Sequence, residues 1–468
     1  MNWSGWSDGE SGKPRAESGL SAINDMSEHD SIVEQHLARA SSVTQQHAYR
    51  RGPRITALET VVPTDVMSGL MLLRVQTDAG TVGGDPVVGH GETYYLPEAA
   101  AAVIHDWMAP RLLGADACAI ESHWRFLYER CTGFGGTGAE LRALSAIDLA
   151  LWDILGQVTQ QPVWRLLGGP VRDRVPVYNS CGGPRYGRNQ AHLPQAVEAK
   201  RQQSWPGHGD PGRSGPLEDN WRSIHEPGDL AEELLAAGYT AMKLWSFDGV
   251  YQTSGGHRIS AADLDAGTAP FRAIRERVGN RMDVMLDGHG FFTLAAALSI
   301  ARAMRDVAPL WMEDVIRPDN PDTIASFRDQ AGVPIAVSEM LVTRDAYRGV
   351  LERRAADYVM IDPTWVGGIS ETRRIAELAQ LYNVPVLMHD CTGPLTLYAG
   401  LNVSAATPIV CYQETVRAHI ATIYPLLIDA PPTVSSGHID LPERAGLGVR
   451  LLPELFDGSA SSYRISRV

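Results

Sequence analysis

Three short apolar runs, MDVMLD, PLWME and PIAVSE, each deliver an acid, at Asp287, Glu313 and Glu339. The intervals are equal, since 313 − 287 = 26 and 339 − 313 = 26. A strand, a helix and their two loops take about that many residues in a β/α unit. Equal spacing therefore brings three acids to the same end of three successive parallel strands. Two carboxylates about 4 Å apart repel by roughly 4 kcal/mol at an effective dielectric of 20. A hard divalent cation removes that cost, and Mg²⁺ keeps positions open for water or substrate. One acid after a strand often does no more than cap the next helix. Three in one register point to a metal site, because strand ends of this architecture carry catalytic groups.

Other reactive side chains fall in the same frame. His289 follows Asp287 by two residues, and on a strand that spacing faces one side, so His289 is expected to share the pocket. Its ordinary pKa near 6.5 suits acid/base work. Asp362 ends a sixth strand and His389 a seventh. Adjacent strand ends bring the carboxylate within reach of the imidazole, fixing its tautomer and raising its basicity. Lys243 ends the second strand, where it binds a substrate carboxylate, acts as a second base, or joins a structural ion pair. Glu414, at the end of the eighth, either hydrogen-bonds a substrate oxygen or belongs to such a pair.

The elements that position these residues follow from periodicity. Residues 1–50 are rich in Ser, Gly, Gln, Glu and His, and their composition predicts a mobile arm, with Trp3 and Trp6 available to a neighbouring subunit. Residues 51–172 read as strands followed by helices, an α+β capping domain. ITALETVVP and MLLRVQTDAG are its first strands, with a turn at Asp78-Ala79-Gly80, and VVGHGETYY leads to Glu92. Loops around 63–69 and 83–95 are placed to close over a site. Residues 173–415 alternate strand and helix eight times, which predicts a TIM-type (β/α) barrel in a modified (β/α)7β form. Insertions at 185–228 and 248–262 emerge at its carboxyl end, where loops build specificity. Residues 416–468 lose this period and are expected to return to the cap.

Composition sets the outer bounds. The 468 residues are 44% hydrophobic and 21% charged, as in a globular enzyme. A net charge of −14 argues against nucleic acid and anionic membrane as partners. It leaves an anionic substrate open, since a bound cation inverts the local field. The five cysteines have no metal-site spacing and fit reduced thiols in a cytoplasm. No run of about 20 apolar residues is present to span a membrane.

The set Asp287, Glu313, Glu339, Asp362, His389 and Glu414, on a barrel with an N-terminal cap, resembles the enolase superfamily, mandelate racemase subgroup, from about Arg54 to the C-terminus. The resemblance implies Mg²⁺ held by Asp287, Glu313 and Glu339, a small-molecule sugar acid as substrate, and a homo-oligomer, a dimer or an octamer. It implies removal of the proton beside the substrate carboxylate, to an enediolate that is reprotonated or expels a β-hydroxyl. In racemases of this family the second strand resembles Lys-x-Lys; here it reads Lys243-Leu244-Trp245, and Trp245 cannot transfer a proton. Asp287-Gly288-His289 is similar instead to galactonate-type sugar-acid dehydratases, in which such a His resembles the acid for the departing hydroxyl. The expected roles are His389 as base, Asp362 as its orienter and His289 as acid, with His389 alone doing both jobs in a syn elimination as the other option. The implied activity is a Mg²⁺-dependent acid-sugar dehydratase. A racemase, epimerase or cycloisomerase using the same intermediate is the alternative, and a non-catalytic acid-binding barrel is the third class.

Overall fold

The computed structural model describes residues 52–81, 84–184, 186 and 215–468. The expected arm, with Trp3 and Trp6, and most of the 185–228 insertion lie outside the described residues. No described helix is long and apolar enough to cross a membrane.

The described residues open with a four-stranded antiparallel sheet in the order β14-β1-β2-β3. Strands β1 (Ile55–Val61), β2 (Leu70–Gly80) and β3 (Pro86–Tyr94) come from the N-terminal part, and β14 (Arg464–Arg467) returns from the C-terminus to pair with β1. β2 runs through Asp78–Gly80, where the turn was expected, so the turn lies beyond Gly80. Helix α2 (Ala139–Thr159) covers this sheet, and helix α1 (Ile120–Cys131) packs on α2.

Eight parallel strands then close into a barrel: β4 (Arg174–Ser180), β5 (Ala241–Leu244), β6 (Asp283–Asp287), β7 (Met312–Glu313), β8 (Ile335–Val337), β9 (Tyr358–Ile361), β10 (Val386–Met388) and β11 (Val410–Thr415), with β11 paired to β4. The longer crossover helices are α3 (Pro227–Ala236), α4 (Ala261–Val278), α5 (Leu294–Met304), α6 (Pro321–Ala331), α7 (Thr343–Glu352), α8 (Gly368–Leu381) and α9 (Pro394–Ala406). They fill seven crossovers. After β11 comes only the short helix Arg417–Thr422, and the hairpin β12 (Val434–Ser435) and β13 (His438–Asp440) then lies antiparallel against β4. The barrel has the modified form that the alternation predicted. Amphipathic spacing explains the outer helices. In α7, Thr343, Tyr347, Val350 and Leu351 are buried at one face. α9 is apolar all round, because the cap covers the side that faces solvent in its neighbours.

The strand period of two organises the barrel interior. Tyr178, Ala241, Met285, Trp311, Ala336, Met360 and Leu387 form one buried apolar plug. Two residues further along six of these seven strands come Ser180, Lys243, Asp287, Glu313, Asp362 and His389, and on the seventh Ser338. Tyr412 and Glu414 continue the rule on β11. A layer of ionisable side chains thus rests on a layer of rings and aliphatic groups.

Helix α2 locks cap to barrel. Gly89 and Gly91 let β3 lie directly on it: a Cβ at either would meet the carbonyl oxygen of Ala150 or Ala146 at 2.2 and 2.0 Å. On its other side, Ser145 Oγ accepts from Gly367 N–H and Asp148 accepts from the N–H and hydroxyl of Ser370, at the start of α8. Burial, only partly offset by these bonds, pushes the Asp148 carboxyl up to about 7 from 3.8. The native protein thus holds this proton more tightly than the unfolded chain, so the stability it adds is fully present near pH 4 and is lost as pH rises through about 7. Wild-type stability is expected to fall between pH 5 and 8 relative to Asp148→Asn, by on the order of 2 kcal/mol or more. Chemical denaturation of both proteins across that range measures the difference; parallel profiles would refute it.

Candidate active site

The ionisable layer opens into a cavity of about 190 Å³ between barrel mouth and cap. Asp287, Glu339, His289 and His389 line its barrel side; Tyr94, Tyr95 and Arg142 come from the cap. Trp245, Trp365 and Tyr186 complete much of the wall, Tyr186 being the described member of the 185–228 insertion that reaches it.

Asp362 and His389 meet as expected, with His389 Nδ1 2.8 Å from Asp362 Oδ2. The other Asp362 oxygen accepts from the N–H and the hydroxyl of Thr364, each at 2.7 Å. The carboxylate is fixed on both sides and leaves His389 Nε2 as the reactive nitrogen. Burial acts against charge on this ring, but Glu414 and Asp362 outweigh it and hold its pKa well above the ordinary value.

His289 reaches the cavity by a different route from the one expected. Strand β6 stops at Asp287, and His289 sits at φ +49°, in a turn rather than on the strand. Its N–H donates to Asp287 Oδ1 at 3.0 Å, and its Nδ1 lies 3.2 Å from Asp248 Oδ1. Against the opposing effect of burial, Asp287 and Asp248 raise its pKa to about 9. Asp248 starts the short helix Asp248–Ser254 and was not singled out in the sequence, since nothing local marks it as the partner of a residue 41 positions away.

Lys243 and Glu414 meet in an ion pair, one of the alternatives that the sequence leaves open for each. The Lys243 ammonium is buried and lies 2.5 Å from Glu313, 2.8 Å from Glu414 and 3.1 Å from Asp287. Neither Lys243 nor Glu414 is among the residues that line the cavity. Although burial opposes its charge, the three carboxylates hold the Lys243 pKa well above its ordinary value. Its three N–H donors are directed at these carboxylates and its proton is held, which favours the ion-pair reading over a second base or a ligand of the substrate carboxylate. Glu414 likewise accepts from Lys243, from Asp390 N–H and from the Cys391 thiol, which argues against a hydrogen bond to substrate.

Comparison with known proteins agrees with this geometry. Residues 227–455 match the family model described as enolase C-terminal domain-like, and residues 38–168 match the mandelate racemase / muconate lactonizing enzyme N-terminal domain. A D-galactonate dehydratase family member of Streptomyces bingchenggensis is 30% identical over 409 residues, 84% of this chain and 91% of that protein. The chain belongs to the enolase superfamily, mandelate racemase subgroup. A D-xylonate dehydratase of Haloferax volcanii is 29% identical over 423 residues, 88% of this chain and 90% of that one. Among solved structures, an enolase protein from Sargasso Sea environmental sequencing superposes with a TM-score of 0.74 at 36% identity, covering 89% of this chain and 99% of the other.

Enolase superfamily enzymes generally use Mg²⁺, and the donor set here suits a hard cation. Asp287 and Glu313 are register partners on β6 and β7, and Glu339 follows β8; Glu313, unlike Asp287 and Glu339, does not line the cavity, and its two oxygens accept from Lys243 and the Trp311 indole. Glu339 Oε2 is buried with no hydrogen-bond partner, an uncompensated acceptor beside the cavity. Burial first, and then neighbouring acids, push the Glu313 carboxyl well above its ordinary pKa despite Lys243, so this layer lacks positive charge. A tighter group of potential ligand atoms, within 4.8 Å of one another, is His389, Cys391 and Glu414. It suits a hard cation less well: burial pushes the Cys391 thiol up to about 12, and Lys243 already neutralises Glu414.

If the oxygen cradle holds Mg²⁺, saturating Mg²⁺ is expected to stabilise the wild type by about 2–3 kcal/mol at a hundredfold excess over Kd. Glu339→Gln, which keeps the shape and removes the charge, should abolish that gain. Thermal melts with Mg²⁺ and with EDTA check this; an equal Mg²⁺ shift in both proteins would remove Glu339 from the cradle.

Proposed function

We propose that this enzyme is an acid-sugar dehydratase that converts a 2,3-dihydroxy acid into a 2-keto-3-deoxy acid. The observation that carries this reading is the pair of imidazoles on one cavity, each oriented by its own carboxylate: His389 by Asp362 and His289 by Asp248. The relatives named D-xylonate and D-galactonate dehydratase support the reaction class.

Asp287, Glu313 and Glu339 are proposed to hold Mg²⁺, which when bound supplies positive charge for a substrate carboxylate as it becomes an enediolate. His389 Nε2 removes the proton from the carbon beside that carboxylate, while Asp362 accepts the Nδ1–H and stabilises the imidazolium. His289 delivers its proton to the hydroxyl on the next carbon, and the C–O bond breaks to release water. The enol left behind takes a proton at that carbon and becomes the ketone, so the net change is the loss of one water. Asp248, which is not one of the cradle acids, favours the protonated ring that an acid requires at His289. At His389, positive charge brought to the cradle opposes the pull of Glu414 and favours the neutral base.

Racemisation needs a proton-transfer group on the second face of the substrate. Trp245 stands where a second lysine would be, and Lys243 is committed to its carboxylates. These two observations favour elimination.

A panel of aldonic and aldaric acids with Mg²⁺ should yield an α-keto acid that traps with semicarbazide. Deuterium uptake from D₂O without keto acid would favour the isomerase reading. His389→Asn is expected to lower α-proton exchange by about 10²–10⁴-fold. His289→Asn should retain exchange and lose keto-acid formation by a similar factor, and loss of both together would remove His289 from the leaving-group step.

A further inference from the structure

A cation from the cap faces this cavity without a partner acid among the described residues. Arg142 stands on the first turn of α2, which otherwise reads ALSAIDLALWDI and is mostly buried. One guanidinium nitrogen donates to the Tyr94 carbonyl at 2.8 Å. The guanidinium carbon lies 4.3 Å from the Trp365 ring centre and 5.5 Å from that of Tyr95. No carboxylate among the described residues forms an ion pair with it. Arg172 and Arg275, half-buried like Arg142, also lack a carboxylate partner, but they donate to three and four backbone carbonyls where Arg142 donates to one. Burial draws the Arg142 pKa down to about 10, with Asp362 only partly resisting.

A second donor is unused beside it. The indole N–H of Trp365 is buried without a hydrogen-bond partner, and Trp365 lines the same cavity. Its ring centre is 5.1 Å from that of His389. The metal cradle, the base, Trp365 and Arg142 thus follow one another around a small cavity.

We propose that Arg142, helped by the Trp365 indole N–H, is a subsite for a second, distal carboxylate, and that the enzyme takes aldaric rather than aldonic acids. The proposal rests on the dehydratase reading above for which end of the substrate occupies the cradle. With one carboxylate there and the adjacent carbon at His389, the rest of the chain runs past Trp365 toward Arg142. A terminal hydroxyl would leave the half-buried guanidinium without a counter-charge, which is unfavourable. A carboxylate accepts two parallel N–H bonds from the guanidinium fork and neutralises it. The relatives named after aldonates do not decide this point, since at about 30% identity they leave cavity residues free to differ.

Turnover of galactarate and glucarate is compared with that of galactonate and gluconate, for the wild type, Arg142→Met and Arg142→Lys. The expected wild-type kcat/KM favours the diacids by about 10²-fold or more, since a site built for a polar group rejects analogues lacking it. Arg142→Met should remove that preference and leave the aldonates within about threefold, and Arg142→Lys, which keeps the charge but not the fork, should fall between. A wild-type preference for aldonates, or an equal loss on both classes in Arg142→Met, overturns the proposal while the dehydratase reading stands. Calorimetric titration with glutarate and butyrate in the presence of Mg²⁺ keeps the two separable. If no acid is turned over, the dehydratase reading fails; tighter glutarate binding that Arg142→Met and Arg142→Lys weaken still supports the subsite, and equal binding of both acids overturns it.

Discussion

One ammonium group surrounded by three carboxylates is the interaction on which this site depends. Asp287, Glu313 and Glu414 converge on Lys243 at the mouth of the barrel, where none of the four is more than slightly exposed. Without that cation the acids would repel one another at short range in a medium that screens poorly. With it they are still too negative in sum, because one positive charge serves three acids and Glu339 and Asp362 lie close by. A layer made this way is held together by the fold and remains short of positive charge. Those are the two properties that a site for a divalent cation and an anionic substrate requires.

The apolar plug beneath gives this layer its strength. Tyr178, Trp311, Met285, Met360 and Leu387 exclude water from below, so the charges above them act at a lower dielectric than at a surface. Each strand contributes to both layers through two inward-facing positions. The period of two therefore links packing to chemistry: shifting one strand by a residue would lose a plug residue and a functional group together. Trp311 shows the link directly, since its ring belongs to the plug while its Nε1–H donates to Glu313 Oε2 at 3.2 Å.

What was legible in the sequence was whatever the strand period dictates. The equal intervals of Asp287, Glu313 and Glu339 and the pairing of Asp362 with His389 follow from strand ends in a β/α barrel, and the barrel is observed. His289 was placed correctly at the cavity for the wrong reason, because a turn at positive φ carries it there after the strand has ended. Lys243 and Glu414 were legible as inward-facing residues but not as each other's partners, since it is closure of β11 on β4 that brings β11 and β5 to either side of one strand. Arg142 and Trp365 were not legible at all. Local periodicity says that α2 is amphipathic or buried; it does not say on what the helix docks. A usable signal was present nevertheless: a helix apolar on nearly every side that also carries Arg142, Asp148 and Asp153 must give each of them a partner or a task.

That helix couples specificity to stability. Arg142, Ser145, Asp148 and Trp152 are spaced by three, three and four residues, which puts them on one face. Ser145, Asp148 and Trp152 bond to Gly367 and Ser370, in the segment that follows Asp362. Trp365 lies within that segment and stacks under Arg142. The same stripe therefore anchors the cap to the barrel, fixes the chain that carries Asp362, and presents a guanidinium to the cavity. If the cap is seated, Arg142 and the Asp362–His389 pair are both in place. If the anchors loosen, both are displaced together. A cation held only by a carbonyl and the faces of two rings adds less to this seam than a fully paired one would. The protein keeps it there at some cost in stability, and that cost is offset when an anion enters the cavity and completes the set.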